Sequence, residues 1–170
     1  MVVWIIGLSG AGKTTLANEV VLRAQVAKCN TILVDGDVIR EIFGNDIGYS
    51  MEDRLTNSER ISQLCKFLDN QGVNVVCSIL SIFPQTRSWN RRNIKNYYEV
   101  FIDAPIENLV SRDSKGIYGK YNRGEISDVA GMDIDFPIPV NSDLVIHNNK
   151  SLDDLLGYTD FILEKLLGRS

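Results

Sequence analysis

Short apolar runs alternate along the chain with longer stretches in which apolar residues recur every three or four positions. The runs at 2–6, 31–34, 73–78, 98–102 and 144–146 read as strands. The longer stretches at 13–27, 51–70, 105–112 and 152–167 read as helices. This alternation predicts an α/β chain, a parallel sheet covered by helices. Two stretches fall outside it. Around 81–96 a turn containing Pro84 leads into the arginine-rich "RSWNRRN". From 113 to 139 the chain is rich in glycine and charge, carries late prolines, and shows weak periodicity. A segment this long inside a compact domain is expected to be functional, here a mobile lid over a bound ligand.

The ligand is set by "GLSGAGKT", Gly7 to Thr14, which matches the phosphate-binding pattern G-x-x-x-x-G-K-[ST] between an apolar strand and a helix. Gly7, Gly10 and Gly12 let the backbone turn tightly, so that the amides of Ser9, Ala11 and their neighbours can face phosphate oxygens. Lys13 adds a positive charge toward the β- and γ-phosphates, and Thr14 and Thr15 open the helix whose positive dipole end adds to it. Thr14 can place its hydroxyl on Mg²⁺. The strand over 31–34 runs into "ILVDGD" and sets Asp35 beside the γ-phosphate if the second strand lies near the first. There the carboxylate can hold Mg²⁺ through water or accept the proton of an attacking hydroxyl. Asp37, after Gly36, points the same way if the strand persists and differently if it turns. A guanine-reading N-K-x-D is lacking, since "NKSL" has leucine at the acid, and the third strand ends in Ser78 where a motor ATPase carries an acid.

"GYSMEDRLTNSER" adds an acceptor site. Ser50 and Asp53 form a capping box that predicts a helix from Met51, with Tyr49 just ahead of it. Arg54 and Asn57 share one helical face. An aromatic plane beside a guanidinium fork and an amide suits a nucleoside with a 5′ anion.

With "GLSGAGKTTLA", "VDGDVIR", "GYSMEDRLTN", "SILSIF", "EVFIDAP", "RDSKGIYGKYNRGEI" and "GMD" in order, the chain resembles the adenylylsulfate kinase family from end to end. The resemblance implies a P-loop kinase fold, a five-stranded parallel sheet with a lid. It also implies transfer of the γ-phosphoryl of ATP, with Mg²⁺, to the ribose 3′-hydroxyl of a small-molecule nucleotide carrying a 5′ mixed anhydride. Carried over by motif, Asp35 stands near the 3′-hydroxyl and the metal, and Asp37 and Arg40 line the acceptor. Tyr49 stands where the family has a base-stacking phenylalanine, and Arg54 and Asn57 hold acceptor phosphate and sugar. Leu80 and Ser81 fall in the acceptor loop, where some relatives can be phosphorylated on the matching serine; Ser81 thus joins Asp35 and Lys13 as a catalytic candidate. Lys115 is the lid lysine, Arg112 and Lys120 are further lid cations, and Arg87 matches a family arginine.

The chain departs from the family at the lid, where "EISDVAGMD" puts Asp128 at a glycine and Val129 at a phenylalanine that covers the second face of adenine. Ile82 also replaces the proline after Ser81. These changes keep the phosphoryl-transfer parts and alter the base pocket. They favour another acceptor, and similar kinases of capsule-building pathways act on cytidine diphosphoramidate. A smaller pyrimidine needs less stacking, and Asp128 can accept from a cytosine amino group. Adenylylsulfate is the alternative acceptor, and a non-catalytic nucleotide-binding module the alternative of another class. Such a module has no need of Asp35 together with a charged lid.

Composition narrows the rest. The 170 residues, 44% hydrophobic and 24% charged, suit one domain over 1–170. A net charge of −4 argues against nucleic acid as partner. Cys29, Cys65 and Cys77 lie outside metal spacings and read as reduced thiols, and the single His147 reads as a strand-end residue. "MVVWII" lacks a basic leader and no apolar run nears the roughly 20 residues that span a bilayer, so the expected setting is cytoplasmic with no membrane partner. A homodimer is expected only by analogy with similar kinases.

Overall fold

The computed structural model describes residues 1–168. Strands β1 (Val2–Ile6), β2 (Thr31–Asp35), β3 (Asn74–Ile79), β4 (Tyr97–Asp103) and β5 (Leu144–His147) form one sheet in the order β2-β3-β1-β4-β5. Every pairing is parallel. All five expected strands are present, each within a residue of its expected bounds. The second strand is separated from the first by β3, yet its end still reaches the nucleotide loop.

The central strand shows why its sequence lacks polar alternation. Val3 and Ile5 face one core with Leu16, Val20, Ile102, Leu109, Ile146, Leu155 and Ile162. Val2, Trp4 and Ile6 face a second core with Ile39, Ile61, Cys65, Val75, Cys77 and Phe101. All five residues of β1 are fully buried, as expected of a strand covered on both faces.

Helices α1 (Lys13–Val26), α3 (Met51–Asn70) and α5 (Ile106–Arg112) are those the periodicity predicts. The helix expected over 152–167 is two, α7 (Leu152–Leu156) and α8 (Thr159–Leu166), divided at Gly157. Just before the break the buried Leu155 packs on the glycine loop, where a Cβ on Gly12 would sit 2.5 Å from Leu155 Cδ2.

Three helices were not expected. In α2 (Gly36–Ile42) the Asp35 carboxylate accepts from the Asp37 amide at 2.9 Å, so the chain turns at once after β2. The two carboxylates therefore point differently. In α4 (Pro84–Asn93) the proline takes the first turn, where its missing N–H costs nothing. Short α6 (Ile117–Asn122) lies inside the expected lid. That segment is partly anchored: Tyr118 and Val129 are buried in the first core, and Ala130 bridges Ile134. Among the described residues no helix is long and apolar enough to cross a membrane.

Candidate active site

The loops after β1, β2 and β3 open together at the carboxyl ends of the parallel strands, the usual place for a ligand in such a sheet. They enclose a cavity of about 320 Å³. Of the residues expected to bind the nucleotide, Ser9, Gly10, Gly12, Lys13, Thr14 and Thr15 line it. Gly7 and Ala11 stand behind the wall and build the turn. A Cβ on Gly7 would lie 2.7 Å from the Ile102 carbonyl oxygen, and Ala11 is fully buried.

Three of the loop's carbonyls accept from side chains. Lys13 Nζ donates to Leu8 O at 2.8 Å, Tyr118 Oη to Ser9 O at 2.9 Å, and Asn148 Nδ2 to Ala11 O at 2.9 Å. The first-turn amides of α1 have no partner within the helix and remain for an anion. Tyr118 and Asn148 were not expected here; Tyr118 lies within a quoted motif, whereas Asn148 has no signal beyond following the last strand. Burial of the Lys13 ammonium, and then repulsion from Lys115, pulls its pKa from 10.5 down to about 8.

Opposite the loop, Asp35 Oδ2 accepts from Thr14 Oγ1 at 3.1 Å, and Ser78 Oγ lies 3.3 Å from the same hydroxyl. The sequence marks Ser78 only as the end of the third strand, with no binding role; its signal is a polar residue at the end of an apolar run. Hydroxyl, carboxylate and hydroxyl are the hard oxygen donors that suit Mg²⁺, which keeps several waters and needs few protein ligands. The residues fit the group.

Asp37, Arg40, Tyr49, Arg54, Asn57, Leu80, Ser81 and Lys115 also line the cavity. Lys115 Nζ meets Asp37 Oδ2 at 2.9 Å, which raises the lysine's pKa and ties the segment after α5 to α2. The Arg40 guanidinium is buried, donates to Gly48 O and lies 4.7 Å from the centre of the Tyr49 ring. Arg54 sits 5.7 Å from that ring and donates Nε to Tyr49 O at 2.7 Å and Nη2 to Asp128 O at 2.8 Å. Asn57 donates Nδ2 to Gly36 O at 3.2 Å, and its buried Oδ1 has no protein partner. Ser58 Oγ is likewise buried, unpartnered and on the cavity wall. It was missed because a serine inside a helix carries no motif.

Two expected acceptor residues are not brought to the cavity. Val129 is 5% exposed and packs in the first core. Asp128 meets the site only through its carbonyl; its carboxylate accepts from Ser127 Oγ at 3.0 Å, and its backbone is left-handed at φ 62°. That conformation accounts for the glycine expected there. Arg87 is buried behind the cavity, Arg91 pairs with Asp143 at 2.9 Å, and Arg92 donates to Ser88 O at 3.2 Å. Arg112 and Lys120 are exposed and away from the cavity wall.

Comparison with known proteins places the chain in a family. The sequence profile described as adenylylsulphate kinase matches residues 1–147. The chain is 36% identical over 165 residues to the cytidine diphosphoramidate kinase of Campylobacter jejuni, covering 97% of this chain and 95% of that protein. It is also 36% identical over 150 residues to the adenylyl-sulfate kinase of Clostridium kluyveri, covering 88% of this chain and 75% of that one. The APS kinase of Mycobacterium tuberculosis, solved in complex with AMPPNP and APS, superposes with a TM-score of 0.88. The two are 30% identical, with 98% and 96% of the chains covered. By the matched profile and the identity to these named kinases, the chain belongs to the adenylylsulfate kinase family, phosphotransferases with a hydroxyl acceptor.

Proposed function

We propose that the protein transfers the γ-phosphoryl of ATP to the ribose 3′-hydroxyl of a nucleoside 5′-phosphate anhydride, with cytidine diphosphoramidate as the favoured acceptor. The observation that carries the reaction type is the 3.1 Å contact between Asp35 Oδ2 and Thr14 Oγ1. It sets a carboxylate at the triphosphate end of the cavity that also holds Tyr49, Arg40, Arg54 and Asn57.

The chain's own groups account for the step by positioning and electrostatics. The amides of the Gly7–Thr14 loop and Lys13 hold the phosphates in line. Asp35 accepts the proton of the 3′-hydroxyl as its oxygen forms the new P–O bond, and the bond to the β-phosphate oxygen breaks. Lys13 and Lys115 offset charge on the transferring group and on ADP. Mg²⁺, when bound by Thr14 and Asp35, supplies neutralisation of the phosphate oxygens. Arg54 and Arg40 meet the acceptor's 5′ anion, Asn57 Oδ1 accepts from its sugar, and Tyr49 carries its base. The segment over 113–139 closes over both nucleotides.

The acceptor preference rests on the base pocket. Tyr49 and Phe83 are the aromatic residues on the cavity wall, and the residue replacing the family's second stacking ring is an aliphatic side chain turned into the core. A pyrimidine loses less than adenine from the absence of that face, where base–aromatic stacking is worth about 1–3 kcal/mol. Adenylylsulfate is the second reading, supported by equal identity to an adenylyl-sulfate kinase. Turnover on both acceptors with ATP decides between them; a strong preference for adenylylsulfate removes the cytidine reading. A homodimer is proposed by analogy alone, and sedimentation equilibrium tests it.

A further inference from the structure

The loop that follows β3 is held from behind by two buried donors. Trp4, fully buried in β1, donates Nε1–H to Ser81 Oγ at 3.1 Å. Arg87, from α4, donates Nη1 to Ser81 O at 2.6 Å and Nη2 to Pro137 O at 3.4 Å. Ser81 is 3% exposed, adopts φ 55°, and still lines the cavity. A left-handed serine is unusual and persists where its surroundings fix it. Here one lone pair of its hydroxyl and its carbonyl are each taken by a donor from a different element. The hydroxyl proton has no acceptor among the described residues.

Resting on the proposed reading of this cavity as a nucleotide acceptor site, we infer that Trp4 and Arg87 are positioning residues for the acceptor, acting through Ser81. The indole N–H occupies the inner side of the hydroxyl oxygen, so its proton is directed into the cavity, where it donates to the acceptor's 5′ anion. Arg87 holds the Ser81 carbonyl and, through Pro137, ties this loop to the end of the 113–139 segment. Neither residue lines the cavity. A tryptophan merely filling the core would leave substrate preference alone, whereas this arrangement links it to one substrate.

Steady-state kinetics of Trp4→Phe, Ser81→Ala and the double variant test the inference. Trp4→Phe keeps an aromatic ring and removes the N–H. Its KM for the acceptor nucleotide rises about tenfold, as expected for weakening a hydrogen bond to a charged group. Its KM for ATP stays within about twofold of wild type. The double variant is no worse than Ser81→Ala, because Trp4 acts only through Ser81. Losses that add, or KM values for both substrates that rise together, overturn the inference. Arg87→Lys keeps the charge without bridging two carbonyls and shows the same acceptor-only loss; an unchanged acceptor KM overturns the role of Arg87.

The chain has two tryptophans, so in a Trp89→Phe background Trp4 is the sole indole. Its emission changes on titration with the acceptor nucleotide and not with ATP alone; no response to the acceptor overturns the link. Wild-type turnover separately tests the proposed function. If the wild type phosphorylates no nucleotide acceptor, that reading fails before any variant is compared.

Discussion

Asp35 closes β2, caps α2 and meets Thr14. Substitutions separate these roles. Asp35→Asn keeps a capping oxygen, so thermal stability and ATP binding stay near wild type while kcat falls about 10²–10⁴-fold, the usual span for a lost acid or base. Asp35→Ala adds a cap loss of about 1 kcal/mol, read by denaturant unfolding. Unchanged turnover in either variant removes Asp35 from the chemistry. Lys13 gives a pH signature. Its pKa is near 8 in the folded protein against 10.5 for the free side chain, so between these values the folded form binds fewer protons than the unfolded one. Its contribution to stability therefore rises with pH across that window. Bound phosphate restores the proton, so ATP binding near pH 8.5 takes up protons, measured by calorimetry in buffers of different ionisation heat. Lys13→Met raises the melting temperature at neutral pH and abolishes ATP binding. At the lid, Val129→Phe meets a packed core and costs about 1–3 kcal/mol, and it does not restore adenine stacking. Asp128→Gly relieves the left-handed backbone and stabilises by up to about 1 kcal/mol, checked by the same unfolding assay.

At the scale of elements, the capping box of α3 was readable because its four residues carry the whole device: Ser50 Oγ accepts from Asp53 N at 3.2 Å, and the Asp53 carboxylate accepts from Ser50 N at 3.3 Å. It also places Tyr49 and Arg54, so Ser50→Ala costs about 1 kcal/mol of stability and raises the acceptor KM more than the ATP KM. By contrast, α2 and α4 were not readable. Helix α2 is seven residues that begin as a strand ends, and its start depends on the Asp35 carboxylate turning back onto an amide. The apolar content of α4 is low, and its buried residues are Thr86, Arg87 and Asn90, so hydrophobic periodicity is silent there. The break between α7 and α8 falls at Gly157, and Leu155 just before it packs against Gly12, a residue far away in sequence.

For the whole molecule, β3 inserts between β1 and β2, and that order brings Ser78 beside both Thr14, in the first turn of α1, and Asp35, the last residue of β2. Residues 113–139 meet the elements around the proposed acceptor site through the Lys115–Asp37 pair, the Arg54–Asp128 carbonyl contact and the Arg87–Pro137 carbonyl contact. The ion pair is largely exposed and adds little stability, so its disruption by salt leaves the melting temperature nearly unchanged. Hydrogen exchange over residues 113–128 slows when ATP and acceptor are both present, because closing that segment orders its amides; equal exchange with and without ligands removes the proposed lid motion.

The sequence by itself determined the strands, the phosphate loop, the capped helix and the kinase family, because each is written in neighbouring residues whose spacing reports a local backbone geometry. Tertiary structure alone decided that β3 separates β1 from β2, that Val129 turns into the core, and that Trp4 and Arg87 converge on Ser81. Those outcomes depend on which surfaces pack together, and burial and hydrogen bonding between distant segments leave no periodicity in the chain to read.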